Sequence, residues 1–517
     1  MADLAPTKTG IRSGNSSWMR AFWLFLLALV VRLMFLPLAN NNGTDAWARY
    51  LIARSWLQHP SQLSSEVWLP LHFWLLGAAL WMWNSEWSAR LLTVLFGALT
   101  VLPYWGILRR VFDQRVAFWS ALLFALFGFH IAYSVTTSSE GPTIFFLVLG
   151  FYAWVRFRLG DGWIWLLPCG LGFVAASLCR YEVWVVIPML TLFLLDFSRG
   201  WVSVWSNRRA WRQMVSFGMV ASAGVIGWMF YSFWVWGNPL AAAKRNAWTA
   251  QYMQPQHSLV HRVVAVPGAL IVTLSPLIAG LAIWGLVQTR VRAEPLKRAL
   301  AVVALFMVGL QVFNSVTSNL TMARFTLMYS WLLIPYAFVG LSALSQRSLR
   351  VGSRAAFASV LLFFLLWQVG TTLGAYYGPA GIAARLSSVA PTLPLDPELR
   401  DLTRWLQTHR TPNDVVIVDQ YNYEAVDITR YSDIPFSQAL PVPASLDPFP
   451  VEKQVVEFVD RRRPRLLVYC PWGMLGKVWS LGDQEQAELP QLNIRLYRRW
   501  RGERYRVYEI EFLPRGQ

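Results

Sequence analysis

Long apolar runs, most of them ended on one side by a cluster of arginines, occupy the first three quarters of the chain. Runs of roughly 18 or more apolar residues have the length of a membrane-spanning helix. Eleven segments are read as spans: 18–38, 88–108, 116–134, 141–157, 162–179, 183–197, 213–236, 263–288, 299–316, 325–345 and 355–376. The basic clusters fall in five connections, around Arg109–Arg115, Arg156–Arg158, Arg199–Arg212, Arg290–Arg298 and Arg347–Arg354. Lys and Arg mark cytoplasmic loops. With a cytoplasmic N-terminus and these spans, all five clusters lie inside. Val67–Trp83 is also apolar, but counting it as a span would turn the Arg109 loop outward. It is read as an interfacial or re-entrant helix.

The outer side then carries 39–87, 134–140, 179–182, 237–262, 316–324 and everything after about residue 377. The first of these loops is the most organised. It opens on Asp45, continues as an amphipathic helix over Ala46–Leu57, and ends in the apolar segment Trp68–Trp74 around Pro70 and His72. From Gly378 the apolar runs shorten and Pro, Asp and Arg become frequent. Helix 396–409, strand 415–419, helix 454–463 and strands 465–469 and 505–512 alternate, which predicts a small α/β domain. The expected fold is a polytopic α-helical membrane protein with about eleven transmembrane helices. Residues 1–17 are its cytoplasmic tail, 18–377 its membrane domain with the first outer loop 39–87, and 378–517 an extracytoplasmic α/β domain.

Composition agrees. Of 517 residues, 55% are hydrophobic and only 14% charged, against about 25% charged in soluble domains. The net charge of +18 would suggest nucleic acid in a soluble protein. In this chain much of it sits in short loops, where it sets topology and meets anionic lipid heads, and no nucleic-acid partner is expected. The three cysteines, Cys169, Cys179 and Cys470, show neither a disulfide framework nor metal-ligand spacing. No A-x-A cleavage site follows the basic N-terminus, so 18–38 reads as a retained span. Arg32 interrupts it near the outer end, either snorkelling to the interface or facing a substrate.

The outer face gathers the chain's candidate chemistry. Asp45 can cap the helix it opens or act as a general base toward an acceptor hydroxyl. Partial desolvation beside lipid would raise its pKa and suit that task. Arg49, one turn on, can orient it. Glu140, in YSVTTSSEGPTIFF, can cap the following span or serve as a second acid that holds the acceptor or a cation. Arg180 and Glu182, in the turn LCRYEVW, can pair with each other, or Arg180 can grip a phosphate with its guanidinium fork. Lys244, Arg245, Arg262 and Arg324 are further outer cations. His72 lies in the organised loop, while His257 reads as interface packing. Most of the 29 tryptophans read as belt residues at the two interfaces, and the outer Trp47, Trp68, Trp74 and Trp248 can alternatively stack on a sugar. No Walker loop, G-x-G-x-x-G or H-E-x-x-H occurs in a plausible setting.

These segments resemble integral-membrane glycosyltransferases of the GT-C fold, most of all family 39, which includes protein O-mannosyltransferases and lipid A aminoarabinose transferases. TDAWARYLIARSWL resembles the first-loop motif D-E-A-x-Y-A-x-I-A-R. WLPLHFWLLG resembles K-P-P-L-x-Y-W-L. AYSVTTSSEGPTIFFLVLGFYAW resembles the second acidic motif, CRYEVWVVIPML the turn before a proline-containing span, and MARFTLMYSWLLIPY the late R-Y-x-L-P-type span. The resemblance covers about the first 345 residues. The chain departs from it at Ala46, where the family has Glu, and at Trp68 and Leu69, where it has Lys and Pro. The second acid is Glu rather than Asp.

The resemblance implies a polyprenyl-phosphate sugar as donor and an inverting, single-displacement transfer. Asp45 is then the base, Arg180 and Arg324 hold the donor phosphate with Lys244 and Arg262 as further candidates, and Glu140 positions an acceptor of unspecified class. Arg49, His72 and Glu182 support them. Family 39 enzymes work without a catalytic metal, so no cofactor is expected; a divalent ion held by Asp45 and Glu140, as in oligosaccharyltransferases, is the less favoured reading. The expected setting is a bacterial inner membrane, with a multi-pass cell-envelope enzyme working on the outer face. The alternatives are a transporter or lipid flippase, which lacks support from inverted repeats or paired broken helices, and a non-catalytic assembly subunit.

Overall fold

A computed structural model of the chain describes residues 16–37, 39, 44–58, 68–195, 207–244, 258–292, 295–318, 322–348, 353–377, 397–419, 425–435, 438–441 and 451–514. The apolar runs become helices whose ends follow local chemistry. α1 (Ser16–Phe35) precedes α2 (Thr44–Gln58), the amphipathic helix of the first loop, and the short apolar α3 (Leu71–Met82). α4 (Glu86–Leu99) and α5 (Val101–Val111) form one 26-residue apolar run. Asp113 starts α6 (Gln114–Ala125) by accepting from the backbone N–H groups of Arg115 and Val116, as N-caps do. α7 (Gly128–Ser134) follows after a break, then α8 (Glu140–Arg158), α9 (Leu166–Ser177) and α10 (Val186–Leu192). α11 (Arg208–Trp236) ends on Gly237 in the left-handed region, φ 67°, the common glycine stop. α12 (Leu259–Leu274), α13 (Pro276–Arg292), α14 (Pro295–Ser318), α15 (Leu327–Ser348) and α16 (Ser353–Tyr377) complete the set.

Among the described residues six helices are long and apolar enough to cross a membrane, or eight if each of two bent pairs is one span. Trp163–Ser177, Tyr181–Leu192 and Leu71–Met82 are shorter apolar helices, and the last occupies the expected interfacial segment. The expected straight span 263–288 is not one: α12 and α13 meet at 108°. Pro276 disfavours helix at the residue before it, and Ser275 takes φ 73° and ψ 152°. Its hydroxyl then accepts from Ile278 N–H at 3.3 Å to begin the new helix.

The second bent pair, α6 and α7, turns by 47°, and one side chain of the last long helix serves both breaks. Buried Gln368 accepts from Phe129 N–H at 3.2 Å and donates to the Thr273 carbonyl at 2.7 Å. Backbone groups freed inside an apolar region need such partners. Arg32 does the same work at the α6–α7 break. It neither snorkels nor faces a substrate: it is fully buried and donates to the carbonyls of Ala28 at 2.9 Å and Ala125 at 3.2 Å, with His130 Nδ1 at 2.8 Å. Helices α13 and α15 cross through Gly285 and Gly340, where a Cβ on either would strike the other's backbone, as at small-residue crossings in membranes.

Beyond the membrane helices stands a six-stranded sheet in the order β2-β1-β3-β6-β5-β4. Its strands are β1 (Val416–Val418), β2 (Ala439–Pro441), β3 (Leu466–Tyr469), β4 (Gln486–Leu489), β5 (Ile494–Arg501) and β6 (Arg506–Phe512). β2, β1 and β3 run parallel, and the other pairings are antiparallel. α17 (Pro397–His409) packs Leu399, Leu402 and Leu406 on one face. Between β1 and β2 runs α18 (Ala425–Tyr431), and α19 (Val451–Arg462) packs Val455 and Val459 on the opposite face. Covering both faces suits the unbroken apolar runs VIV and LLVY. α18 also packs against α2, so this domain rests on the first-loop helix.

Candidate active site

Asp45 lies in the first turn of α2 and Arg49 one turn further along, so both can look the same way. The start of α2 is fixed from behind, where the Thr137 hydroxyl donates to the Ala46 carbonyl at 2.5 Å. Beneath it α3 approaches closely, because Gly77 leaves room for the Trp56 indole. The Leu71 N–H donates to the Leu178 carbonyl at 3.1 Å and brings His72 to the Cys179–Glu182 turn. Glu140 opens α8, and Ser139 before it makes no side-chain cap. Arg180 is extended, at φ −150° and ψ 142°, and so reaches across the turn.

These elements assemble a ladder of alternating charge: Asp45, Arg324, Glu140, Arg180, Glu182. Arg324, from the 3₁₀ turn Ala323–Thr326, forms a close ion pair with Asp45 through Nη1, and its Nε lies 3.9 Å from Glu140 Oε1. Arg180 Nη1 donates to the same Glu140 oxygen at 2.6 Å and to Ser139 Oγ at 3.3 Å. Its Nη2 and Nε are taken up by Glu182 at 2.6 and 3.2 Å. Phe325 lies beneath both guanidinium groups, at 5.4 and 5.7 Å. Glu140 is 1% exposed and Arg180 8%; breaking such a buried pair from one side costs about 3–5 kcal/mol. Asp45 and Arg324, at 27% and 20% side-chain exposure, are the accessible end.

The expectation of a raised Asp45 pKa is corrected. Burial pushes the carboxyl upward, but Arg324 and then Arg49 oppose it more strongly and hold it below the usual carboxylate value. The burial cost of Glu182 is likewise outweighed, by Arg180. Arg180 itself is raised, because Glu182 and Glu140 overcome its desolvation. Burial pulls Arg49 down to about 10, with Asp45 and Glu140 resisting, and it remains a cation at neutral pH. Its guanidinium carbon sits 4.6 Å over the Trp68 ring, and Nη1 is buried with no hydrogen-bond partner among the described residues. His72 is completely buried; the Ser138 backbone acts on the ring as an acceptor, but neither ring nitrogen has a partner of good geometry among the described residues. Burial, then Arg49 and Arg180, push its pKa well down, so the imidazole is neutral.

Seven of the nine singled-out residues therefore share one site: Asp45, Arg49, His72, Glu140, Arg180, Glu182 and Arg324. Lys244 is exposed on the segment after α11, and Arg262 donates to the Val316 carbonyl at 3.1 Å. Neither is among the cations acting on Asp45. Arg245, His257, Trp248 and the Trp47 side chain lie outside the described residues. Sequence reasoning missed Ser139 and Thr137, whose roles depend on the turn between α7 and α8. It also missed Tyr133, which stands in the field of Arg324, Glu140 and Asp45. Arg324 lies between Asp45 and Glu140, and no group of three or more metal-ligating side chains occurs among the described residues.

Comparisons with known proteins fit this arrangement. Residues 58–228 match the family described as dolichyl-phosphate-mannose-protein mannosyltransferase, a stretch that includes His72, Glu140, Arg180 and Glu182 and begins after Asp45. No curated protein matches the sequence. The fold is similar to ArnT from Cupriavidus metallidurans bound to undecaprenyl phosphate, with TM-score 0.56 at 15% identity over 96% of this chain and 98% of that one. It is also similar to the apo oligosaccharyltransferase of Archaeoglobus fulgidus, with TM-score 0.54 at 12% identity over 88% of this chain and 70% of that one. The chain is therefore a multi-pass membrane protein with the GT-C glycosyltransferase fold, whose residues 58–228 match the mannosyltransferase family.

Proposed function

We propose that this protein is an inverting glycosyltransferase that moves a sugar from a polyprenyl-phosphate donor to an acceptor hydroxyl on the outer face of a bacterial inner membrane. The observation that carries the reading is the ladder itself. An ionised, partly accessible Asp45 is paired to Arg324 at the edge of a buried Arg–carboxylate network that cannot rearrange cheaply. In the proposed step the acceptor oxygen bonds to the anomeric carbon as its proton passes to Asp45. The bond from that carbon to the phosphate oxygen breaks, and its electron pair leaves with the polyprenyl phosphate. Arg324 faces the charge that develops there, which is where a fixed cation lowers a barrier most. Arg180 is engaged by Glu140, Glu182 and Ser139, so its role is to hold Glu140 against the acceptor side. Transfer is written without a metal, supported by a guanidinium between the two carboxylates where a shared cation would otherwise sit. The outer location is supported by α8, which carries Glu140 in its first turn and Arg156 and Arg158 in its last, about 28 Å away at 1.5 Å per residue.

The test uses the full chain in lipid nanodiscs with a panel of radiolabelled polyprenyl-phosphate sugars, with and without EDTA. Wild type releases sugar from the lipid, and Asp45→Asn slows release by about a hundredfold or more, the size of a general-base effect. EDTA leaves the rate unchanged. If neither protein binds any donor, the transferase reading falls and a transporter or assembly subunit takes its place.

A further inference from the structure

Arg49 and His72 are not used by the ladder. Arg180 and Arg324 are both neutralised by carboxylates at close range, whereas among the described residues Arg49 has the Trp68 ring as its close contact and is acted on by Asp45 and Glu140 without an ion pair. A buried guanidinium N–H without an acceptor is costly. The same applies, less strongly, to the fully buried imidazole of His72, which the Ser138 backbone meets only with poor geometry. Two such groups, on α2 and α3, are held in one electrostatic neighbourhood with Arg180. Arg49 presents a donor that the described protein leaves unfilled, and His72 one that only the Ser138 backbone approaches. A guanidinium whose carbon sits over an indole can still offer N–H groups at its edge to two oxygens of a phosphate, and a neutral histidine adds one more N–H. Charge points the same way. The site holds three carboxylates, Asp45, Glu140 and Glu182, and three arginines, Arg49, Arg180 and Arg324; only Arg49 is without a close counter-ion among the described residues.

We infer that Arg49 and His72 are the seat of the lipid-linked phosphate, separate from the Asp45–Glu182 ladder. The inference rests on the transferase reading and deepens it, naming the residues that recognise the phosphate of the donor and of the released carrier. Arg49 brings the charge, Trp68 backs its guanidinium, and His72 fixes one oxygen. Arg324 is thereby left beside Asp45, close to the bond that breaks rather than bound to the resting phosphate.

The experiment measures binding of undecaprenyl phosphate and of undecaprenol, which shares its tail but lacks the phosphate, to the full chain in nanodiscs. The readout is the ratio of the two affinities, which a variant that merely loosens the fold does not change selectively. Wild type prefers the phosphate; Arg49→Gln reduces that preference at least tenfold, and Arg49→Lys, which keeps the charge and loses the fork, reduces it less. His72→Phe lowers it and His72→Asn retains part of it. If Arg49→Gln keeps the wild-type preference while Arg324→Gln loses it, the phosphate sits on the ladder and the inference fails, with the transferase reading intact. If wild type shows no preference at all, both fail. Phosphatidic acid, a bilayer phosphate monoester, is the competitor arm: equal capture of it assigns the pair to lipid headgroups and overturns the inference.

Discussion

At the residue scale the decisive feature is the state of Asp45. A base beside lipid was expected to have its proton affinity raised by desolvation, yet Arg324 and Arg49 more than reverse that. The sign of the pH dependence follows. A carboxyl whose folded pKa is lowered contributes stability that is fully present above its unfolded value, about 4, and is lost as pH falls through the folded value. The difference in thermal unfolding between wild type and Asp45→Asn is therefore constant from about pH 8 to about pH 5, and closes only below about pH 4. His72, held neutral in the folded protein, lowers stability as pH falls below its unfolded value of about 6.5, but it does so in both proteins and cancels in their difference. A difference that already closes between pH 5 and 7 would mean that Asp45 titrates with a raised pKa and is not held by the arginines. The sequence placed Asp45, Glu140, Arg180, Glu182 and Arg324 on one face, because the basic loops fix the opposite one. It could not say that Arg324 sits between the two acids, since that depends on where a 3₁₀ turn meets α2, some 280 residues earlier in the chain.

At the scale of elements, eight of the eleven expected spans, two of them bent, correspond to helices long and apolar enough to cross a membrane among the described residues. The segments 141–157, 162–179 and 183–197 do not meet that test, and the breaks were not legible. The run 263–288 is apolar on both sides of Ser275, so hydropathy passes over a corner that the backbone turns through 108°. What makes the corner tolerable is remote: Gln368 and Trp367, on α16, donate to the carbonyls of Thr273 and Val272 at 2.7 and 2.9 Å. In the C-terminal domain the strands VIV and LLVY were read because they are apolar throughout. β5, IRLYRRWR, was missed because its outward positions are arginines, paired to Glu488, Glu485 and Glu509 on neighbouring segments. Gln368 carries a prediction at this scale. Gln368→Leu leaves Phe129 N–H and the Thr273 carbonyl unpaired, at about 1–3 kcal/mol each, and lowers thermal stability accordingly. Trp367→Phe, which removes one donor, costs less. Equal melting temperatures for Gln368→Leu and wild type would show that the two breaks are held by something else.

At the scale of the whole molecule, charge and domain position bear on the same question, which side of the membrane the site faces. Residues 378–517 contain 18 basic and 18 acidic side chains, so the entire net charge of +18 belongs to residues 1–377. Within the described helices that surplus collects at one end: Arg109 and Arg110 end α5, Arg156 and Arg158 end α8, and Arg208, Arg209 and Arg212 start α11. The ladder occupies the other end of α8, and the neutral C-terminal domain lies with it, because α18 packs on α2. Site and domain therefore share one side, and the proposal that this side is the extracytoplasmic one rests on the positive-inside rule. The three native cysteines are buried, which leaves a low background for thiol labelling. A single cysteine replacing exposed Asp483 in the C-terminal domain is expected to react with a membrane-impermeant maleimide in intact spheroplasts. One replacing Arg158 reacts only after the membrane is opened. The reverse pattern would put the ladder in the cytoplasm, where the proposed outer-face acceptor could not reach Asp45, and the site would have to be reassigned to a cytoplasmic reaction.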